Sequence, residues 1–191
     1  MHFKSVLPHI KSNQPILKTN RLILNAFTQA DVPQVTAICS KKAIADTTAH
    51  IPHPYTEKIA SEWIHTHALS FNKKSSVTYA IRGKQALDLI GCMSLVIDPV
   101  SDRGELGYWI REAAWNKGYC TEAAQVIIPF GFNTLQLNKL KAEHLIRNPA
   151  SGKVLQKLGF KKEGVLKEHF KKWGIYEHIA VYGLCRSDYT P

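Results

Sequence analysis

Residues 21–27, RLILNAF, alternate apolar and polar side chains, the period-2 signature of a strand with one buried face. Thr28 follows, with Asp31 three residues on, a capping-box pattern that starts a helix through Val35 and Ile38. The periodicity then breaks at HIPHPY, residues 50–55, whose two prolines predict irregular chain. Thr56 caps a second helix, in which Ile59, Trp63 and His67 recur every four residues. Residues 77–82 and 88–97 are strand-like and joined by a polar turn beginning at Gly83, so they predict a hairpin. GELGYWI, residues 104–110, is the next strand, and a helix is expected from about Tyr119 to Leu135, kinked at Pro129. KLKAEHLI, residues 139–146, returns to strand character. Asn148-Pro149 then opens a short helix that Gly159 stops. Residues 165–173 and 177–185 close the chain as an antiparallel pair. With no repeat, low-complexity segment or linker, the pattern predicts one mixed α/β domain.

Composition narrows the class. A chain of 191 residues with 45% hydrophobic and 21% charged residues suits one soluble globular domain with its own core. Residues 1–15 mix lysines, histidines and prolines without an apolar run, and are expected to form a frayed N-terminal arm rather than a signal peptide. No window approaches 18 consecutive apolar residues, so no membrane span is expected. Cys39, Cys92, Cys120 and Cys185 lie far apart, which suits reduced thiols in a cytoplasm and makes no zinc site. His65 and His67 fall on different faces of their helix, so no metal is expected. The net charge of +10 is uneven: residues 139–172 hold ten Lys or Arg against three Glu. Such a stretch serves an anionic partner or is simply a solvated face. Zinc-finger spacing, RNP-like motifs and basic heptads are all absent, which speaks against specific nucleic-acid recognition.

Two stretches carry candidate chemistry. WNKGYCTEA, residues 115–123, turns from a strand into a helix at Gly118. A helix N-terminus leaves about four N–H groups unpaired and carries roughly half a positive charge, which suits an anion, and a glycine lets a ligand approach the backbone. Neither a Walker GK[ST] nor a GxGxxG is present, so a plain strand-to-helix connection explains this turn as well. NPASGKVLQKLGFKKEG, residues 148–164, begins 30 residues beyond it, after a helix and a strand. There Asn148 and Ser151 are both good helix caps.

The pairing of GELGYWI…WNKGYCTEA with N-P-A-S…KLGF resembles the GNAT superfamily of acyl-CoA-dependent N-acetyltransferases. Within it, the chain looks most like the branch of ribosomal-protein N-terminal acetyltransferases (the RimJ/RimL type), from residue 16 to residue 191. The resemblance implies a central mixed, mostly antiparallel sheet of six to seven strands flanked by helices, splayed between the fourth and fifth strands, here residues 104–110 and 139–146. It implies that Trp115, Asn116, Lys117, Gly118, Tyr119 and Cys120 form the pyrophosphate loop of acetyl-CoA, the cosubstrate, with Thr121 adding a hydroxyl. Trp115 departs from the usual Arg or Gln and Cys120 from Gly or Ala, but neither change removes a backbone N–H. Backbone N–H groups of the 104–110 strand, at Tyr108 and Trp109, are implied to polarise the thioester, while the aromatic side chains of Tyr108, Trp109 and Trp63 read as core. Glu105 matches the carboxylate that takes a proton from the acceptor amine; on its own residue type it could equally be a surface glutamate. The resemblance implies further that Asn148 orients cofactor and helix, that Ser151 lies near the sulfur, and that residues 50–55 form a wall of the acceptor pocket.

The expected activity is acetyl transfer to a primary amine in a ternary complex. The most favoured acceptor is a protein or peptide N-terminal α-amine, whose pKa near about 8 makes it far easier to deprotonate than a lysine near about 10.4. A small-molecule amine (polyamine, amino sugar or amino-acid analogue) and a catalytically inactive CoA-binding module are the alternatives, and the basic stretch would serve an acidic or ribosomal partner. No membrane partner is expected, and monomer and homodimer both stay open.

Overall fold

The computed structural model describes residues 13–190. Eight strands form one sheet: β1 (Leu17–Lys18), β2 (Leu22–Asn25), β3 (Ser76–Gly83), β4 (Leu89–Asp98), β5 (Arg103–Ile110), β6 (Lys139–Leu145), β7 (Lys161–Lys172) and β8 (Ile175–Cys185), in the order β1-β2-β3-β4-β5-β6-β8-β7. Five helices accompany them: α1 (Val32–Cys39), α2 (Lys42–Thr47), α3 (Glu57–Asn72), α4 (Tyr119–Pro129) and α5 (Pro149–Lys157). Every neighbouring pair is antiparallel except β5–β6, which is parallel because α4 carries the chain back between them. Eight strands exceed the expected six to seven because Leu17 and Lys18 pair with Leu24 and Ile23, a two-residue strand too short to show a period. The splayed strands are therefore the fifth and sixth of the observed sheet.

Side chains alternate across the sheet and feed two cores. Leu95, Leu106, Leu140 and Tyr182 pack with Ile127 of α4 and Leu155 of α5. Cys92 and Trp109 pack on the opposite face with Val35 of α1 and Ile64 of α3. Thr28 and Asp31 form the expected capping box, Thr28 N–H donating to Asp31 Oδ2 at 2.9 Å, although the first turn is a 3-10 turn. Thr56 caps α3 by accepting from Ile59 N–H. The helix expected to run to Leu135 stays α-helical only to Pro129 and continues as a π-turn over Phe130–Thr134, closed by Leu135 N–H on Phe130 O at 3.0 Å. Pro129 has no N–H to return to the preceding turn, so the winding changes there. Helix α2 went unforeseen, because its N-cap, Lys41, offers no side-chain cap and it lasts six residues. Most of the expected 1–15 arm lies outside the described residues, but Gln14 donates to Thr78 O at 2.9 Å.

Candidate active site

The parallel ladder between β5 and β6 runs only from Arg103↔Lys139 to Leu106↔Ala142. Beyond it, Gly107–Ile110 keep their β4 partners and Glu143–Leu145 keep their β8 partners, but the two strands no longer face each other as a ladder. The sheet forks here, opening toward the C-terminal ends of both strands, where the turn before α4 and the start of α5 also lie.

The turn closes one side of the fork. The indole Nε1 of Trp115 donates to Ile110 O at 2.6 Å and fixes where the chain leaves β5. Asn116 (φ +59) and Gly118 (φ +77) are both left-handed, a curl that a Cβ disfavours at Gly118 and that Asn tolerates. Gly118 is the N-cap of α4 and offers no side-chain cap, so the first amides of Tyr119, Cys120 and Thr121 have no capping partner. The turn is braced from outside. Glu122 Oε1 accepts from Thr19 Oγ1 (2.6 Å) and from Arg21 N–H (2.8 Å), its Oε2 accepts from Arg21 Nε (2.6 Å), and Arg21 Nη2 donates to Lys117 O (3.1 Å). The guanidinium also lies 4.5 Å over the Tyr119 ring. These bonds hold the Glu122 carboxyl below the usual range, although partial burial works the other way. A cavity of about 480 Å³ adjoins Gly118, lined by Thr19, Arg21, Thr121, Gln125 and Lys157 among others. Cys120 packs against the core beside the turn, and burial pushes its thiol up to about 12.

The start of α5 closes the other side. Asn148 Oδ1 accepts from Ser151 N–H at 3.3 Å, and its Nδ2 donates to Thr47 O at the end of α2 at 3.0 Å. Ser151 Oγ lies 2.7 Å from Tyr108 Oη, which also donates to Ser151 O at 3.2 Å. The Tyr108 side chain thus spans the fork from β5 to α5, and burial raises its pKa above the ordinary phenol value. Trp109 points to the opposite face, buried in the core with Trp63 at 6.4 Å between ring centroids. Gly152 allows α5 to lie on β6, since a Cβ there would come within 2.7 Å of His144 Nε2.

Glu105 shares its face of the sheet with Trp109, on the α1–α3 side, and sits where β5 and β6 are still paired. Lys141 Nζ bridges Glu105 Oε2 (2.9 Å) and Glu143 Oε1 (3.2 Å). Partial burial disfavours the ammonium, but the two carboxylates outweigh it and raise its pKa. Tyr108 and Trp109 lie three and four residues along the strand from Glu105, roughly 10–13 Å at about 3.3 Å per residue.

The irregular stretch 48–55 overhangs this face, held by a residue that the periodicity could not single out. Lys172 at the end of β7 donates to the carbonyls of Ala45 (2.5 Å), Ala49 (3.2 Å), Ile51 (3.4 Å) and Thr48. Burial lowers its pKa. The rings of His50 and Phe170 stand edge to face at 5.4 Å. Arg21 was missed for the same reason, its partner being 101 residues away. Among the described residues no group of three or more His, Cys, Asp or Glu is placed to hold a metal, and no helix is long and apolar enough to cross a membrane. The four cysteines are free thiols.

The family model for the acetyltransferase (GNAT) domain matches residues 21–161. Among curated proteins, the uncharacterized N-acetyltransferase YoaA of Bacillus subtilis (strain 168) is 30% identical over 175 residues, 90% of this chain and 97% of its own. The [ribosomal protein uS5]-alanine N-acetyltransferase of Escherichia coli (strain K12) is 31% identical over 86 residues, 45% of this chain and 44% of its own. Among solved structures, the ribosomal L7/L12 alpha-N-protein acetyltransferase RimL in complex with coenzyme A superposes with a TM-score of 0.83 at 18% identity, covering 90% of this chain and 98% of that one. At that identity the match speaks for the fold.

Proposed function

The chain belongs to the GNAT family of acetyltransferases, and from that premise we propose that it transfers acetyl from acetyl-CoA to the free α-amine of a polypeptide. The observation that carries the cofactor assignment is the turn at 115–121, with its uncapped amides, two left-handed residues and brace beside an open fork. Those amides suit a pyrophosphate, and Thr121 adds a hydroxyl. Acetyl-CoA supplies an activated acyl thioester. The backbone N–H of Tyr108 faces the open edge of β5, where a carbonyl lying in the fork would be polarised; that of Trp109, the other expected donor, alternates to the β4 side, as does Arg111 N–H on Ile90 O.

Glu105 takes the proton from the attacking amine, directly or through a water, and Lys141 holds that carboxylate in place. As the carbon–sulfur bond breaks, the departing thiolate accepts a hydrogen bond or proton from Ser151, whose own oxygen is backed by Tyr108. Burial raises the Tyr108 pKa, so its hydroxyl keeps its proton at neutral pH. Asn148 fixes the start of α5 and, through Thr47, ties it to the acceptor side. The α-amine fits a site with one mobile proton acceptor better than a lysine does, since its pKa near about 8 leaves a usable neutral fraction. The ribosomal-protein acetyltransferase among the relatives supports the same acceptor class.

Thiol release with acetyl-CoA, followed by mass spectrometry of the product, tests this. Acetyl on the α-amine of a peptide, formed faster than on spermidine or kanamycin at equal concentration, is the expected result. Acetyl found only on polyamines, amino sugars or lysine side chains would replace the acceptor, and no thiol release with any amine would leave a CoA-binding module.

A further inference from the structure

Five of the large apolar side chains that the surface exposes lie on one hairpin: Val165, Leu166, Trp173, Ile175 and Tyr176, the last two 66% and 59% exposed. Strand β7 is the last in the sheet and is exposed from Lys161 through His169, covered by no helix. It carries five lysines against two glutamates. Lys161 is engaged by Asp188 and Lys172 is buried, but among the described residues no carboxylate pairs with Lys162, Lys167 or Lys171. An apolar patch set among cations that have no carboxylate, with Lys171 lying 5.1 Å over the Tyr176 ring, marks an interaction surface on this uncovered edge.

Two observations speak against a second copy of this chain as the occupant. The ladder with β8 slips at Lys162/Gly164 and again at Leu166/Phe170, and bulges of this kind spoil an edge as a template for another strand. Each copy would also bring +10 to the interface. An anionic membrane fits less well than a polypeptide, because Glu163 and Glu168 lie within the cationic row and because of where the hairpin leads. Its turn end is pinned to the 45–51 segment by Lys172, and Phe170 and Trp173 meet His50 and His53. The patch therefore continues into the loop that overhangs the proposed acceptor side.

We propose that the β7–β8 hairpin docks the body of an acidic polypeptide acceptor, whose carboxylates meet Lys162, Lys167 and Lys171 while its apolar side chains cover Leu166, Ile175 and Tyr176. The free N-terminus then enters beneath residues 48–55. This rests on the acetyltransferase reading and adds that selection among acceptors is made outside the fork, by residues beyond the N-terminal few.

The test uses two peptides with the same first four residues and a free α-amine, one continuing in an Asp/Glu-rich tail with interspersed Leu, the other in a Ser/Gly tail. The full chain should show a KM at least about tenfold lower for the acidic tail with similar kcat, as for a contact worth about 1.4 kcal/mol. K167E/K171E and I175S/Y176S should erase that preference while keeping the Ser/Gly-tail rate and the thermal shift with CoA. Equal KM for both tails, or variants that keep the preference, would overturn the proposal. So would a dimer in sedimentation that I175S/Y176S dissolves, or binding to phosphatidylserine vesicles without any tail preference. Calorimetry with the acidic-tail peptide acetylated at its N-terminus separates the two readings. Binding lost in K167E/K171E supports docking even if no α-amine is ever acetylated, whereas no binding sinks the docking surface even if α-amine transfer is found.

Discussion

Glu105 shares one ammonium with Glu143, and that shared bond decides what its removal should do. Glu105→Gln should lower turnover about 10²-fold, as for a lost general base, while acetyl-CoA still binds. The deficit should shrink as pH rises toward the amine's pKa, near about 8, because more acceptor is then already neutral. A kcat–pH profile on wild type and variant checks this, and a variant with wild-type turnover at pH 7 would reduce Glu105 to a partner of Lys141. His67 gives a second pH effect, on stability. Its ring is buried among Phe27 and Trp63, neither nitrogen has a hydrogen-bond partner among the described residues, and burial lowers its pKa to about 4. Between about 6.5 and 4 the unfolded chain binds a proton that the folded chain refuses, so stability falls as pH drops through that window. The loss is about 3 kcal/mol at most. Urea midpoints measured from pH 7 to pH 4 should fall less steeply for His67→Phe than for wild type.

Elements carry the cofactor turn. Its left-handed residues and uncapped amides are held by a carboxylate on α4 that reaches Thr19 and Arg21 at the start of β2. Arg21→Ala removes that clamp without touching the fork. It should raise the KM for acetyl-CoA several-fold while the acceptor KM and kcat change little, as expected when a binding turn loses preorganisation. An effect on the acceptor KM instead would place Arg21 outside the cofactor turn. Gly118→Asp acts more directly, adding a Cβ at φ +77 and a negative charge beside the amides, and should abolish binding of CoA in a thermal-shift titration.

At the scale of the molecule, the fork makes the sheet two half-sheets joined by the four-residue β5–β6 ladder and by the Tyr108–Ser151 bridge. A ligand that fills the gap adds contacts to both halves. CoA at one hundred times its dissociation constant should stabilise the chain by roughly 2.7 kcal/mol, read as a rise in Tm. No shift with millimolar acetyl-CoA would remove the cofactor assignment. The net charge of +10 adds an ionic-strength signature: the rate with an acidic acceptor should fall with salt, and the rate with a neutral one should not.

Where local pattern suffices, the sequence by itself determined the outcome. Alternation placed β2 and strand-like runs located β3 to β8, although β7 begins at Lys161, four residues before the expected 165; the Thr28/Asp31 and Thr56 caps placed the starts of the first helical stretch and of α3, and Asn148 and Gly159 bounded α5, because each signal lies within a few residues of what it controls. The turn at 115–121 and the Asn148–Ser151 pair were legible for the same reason, their spacing being fixed along the chain. Only the tertiary structure decided the rest. Arg21 and Glu122 are 101 residues apart and Lys172 lies 127 residues from Ala45, so no local period links them. Tyr108 packs against the core as read and also brings its hydroxyl to Ser151, because strand alternation turns it toward α5 while Trp109 goes to the opposite core. The basic stretch likewise resolved only in space. Lys139, Lys141, Arg147 and Lys161 are spent on carboxylates and Lys172 on carbonyls; of the five cations left, Lys153 and Lys157 lie on α5, while Lys162, Lys167 and Lys171 lie on β7 beside an exposed apolar patch, a pairing fixed by strand order and not by composition.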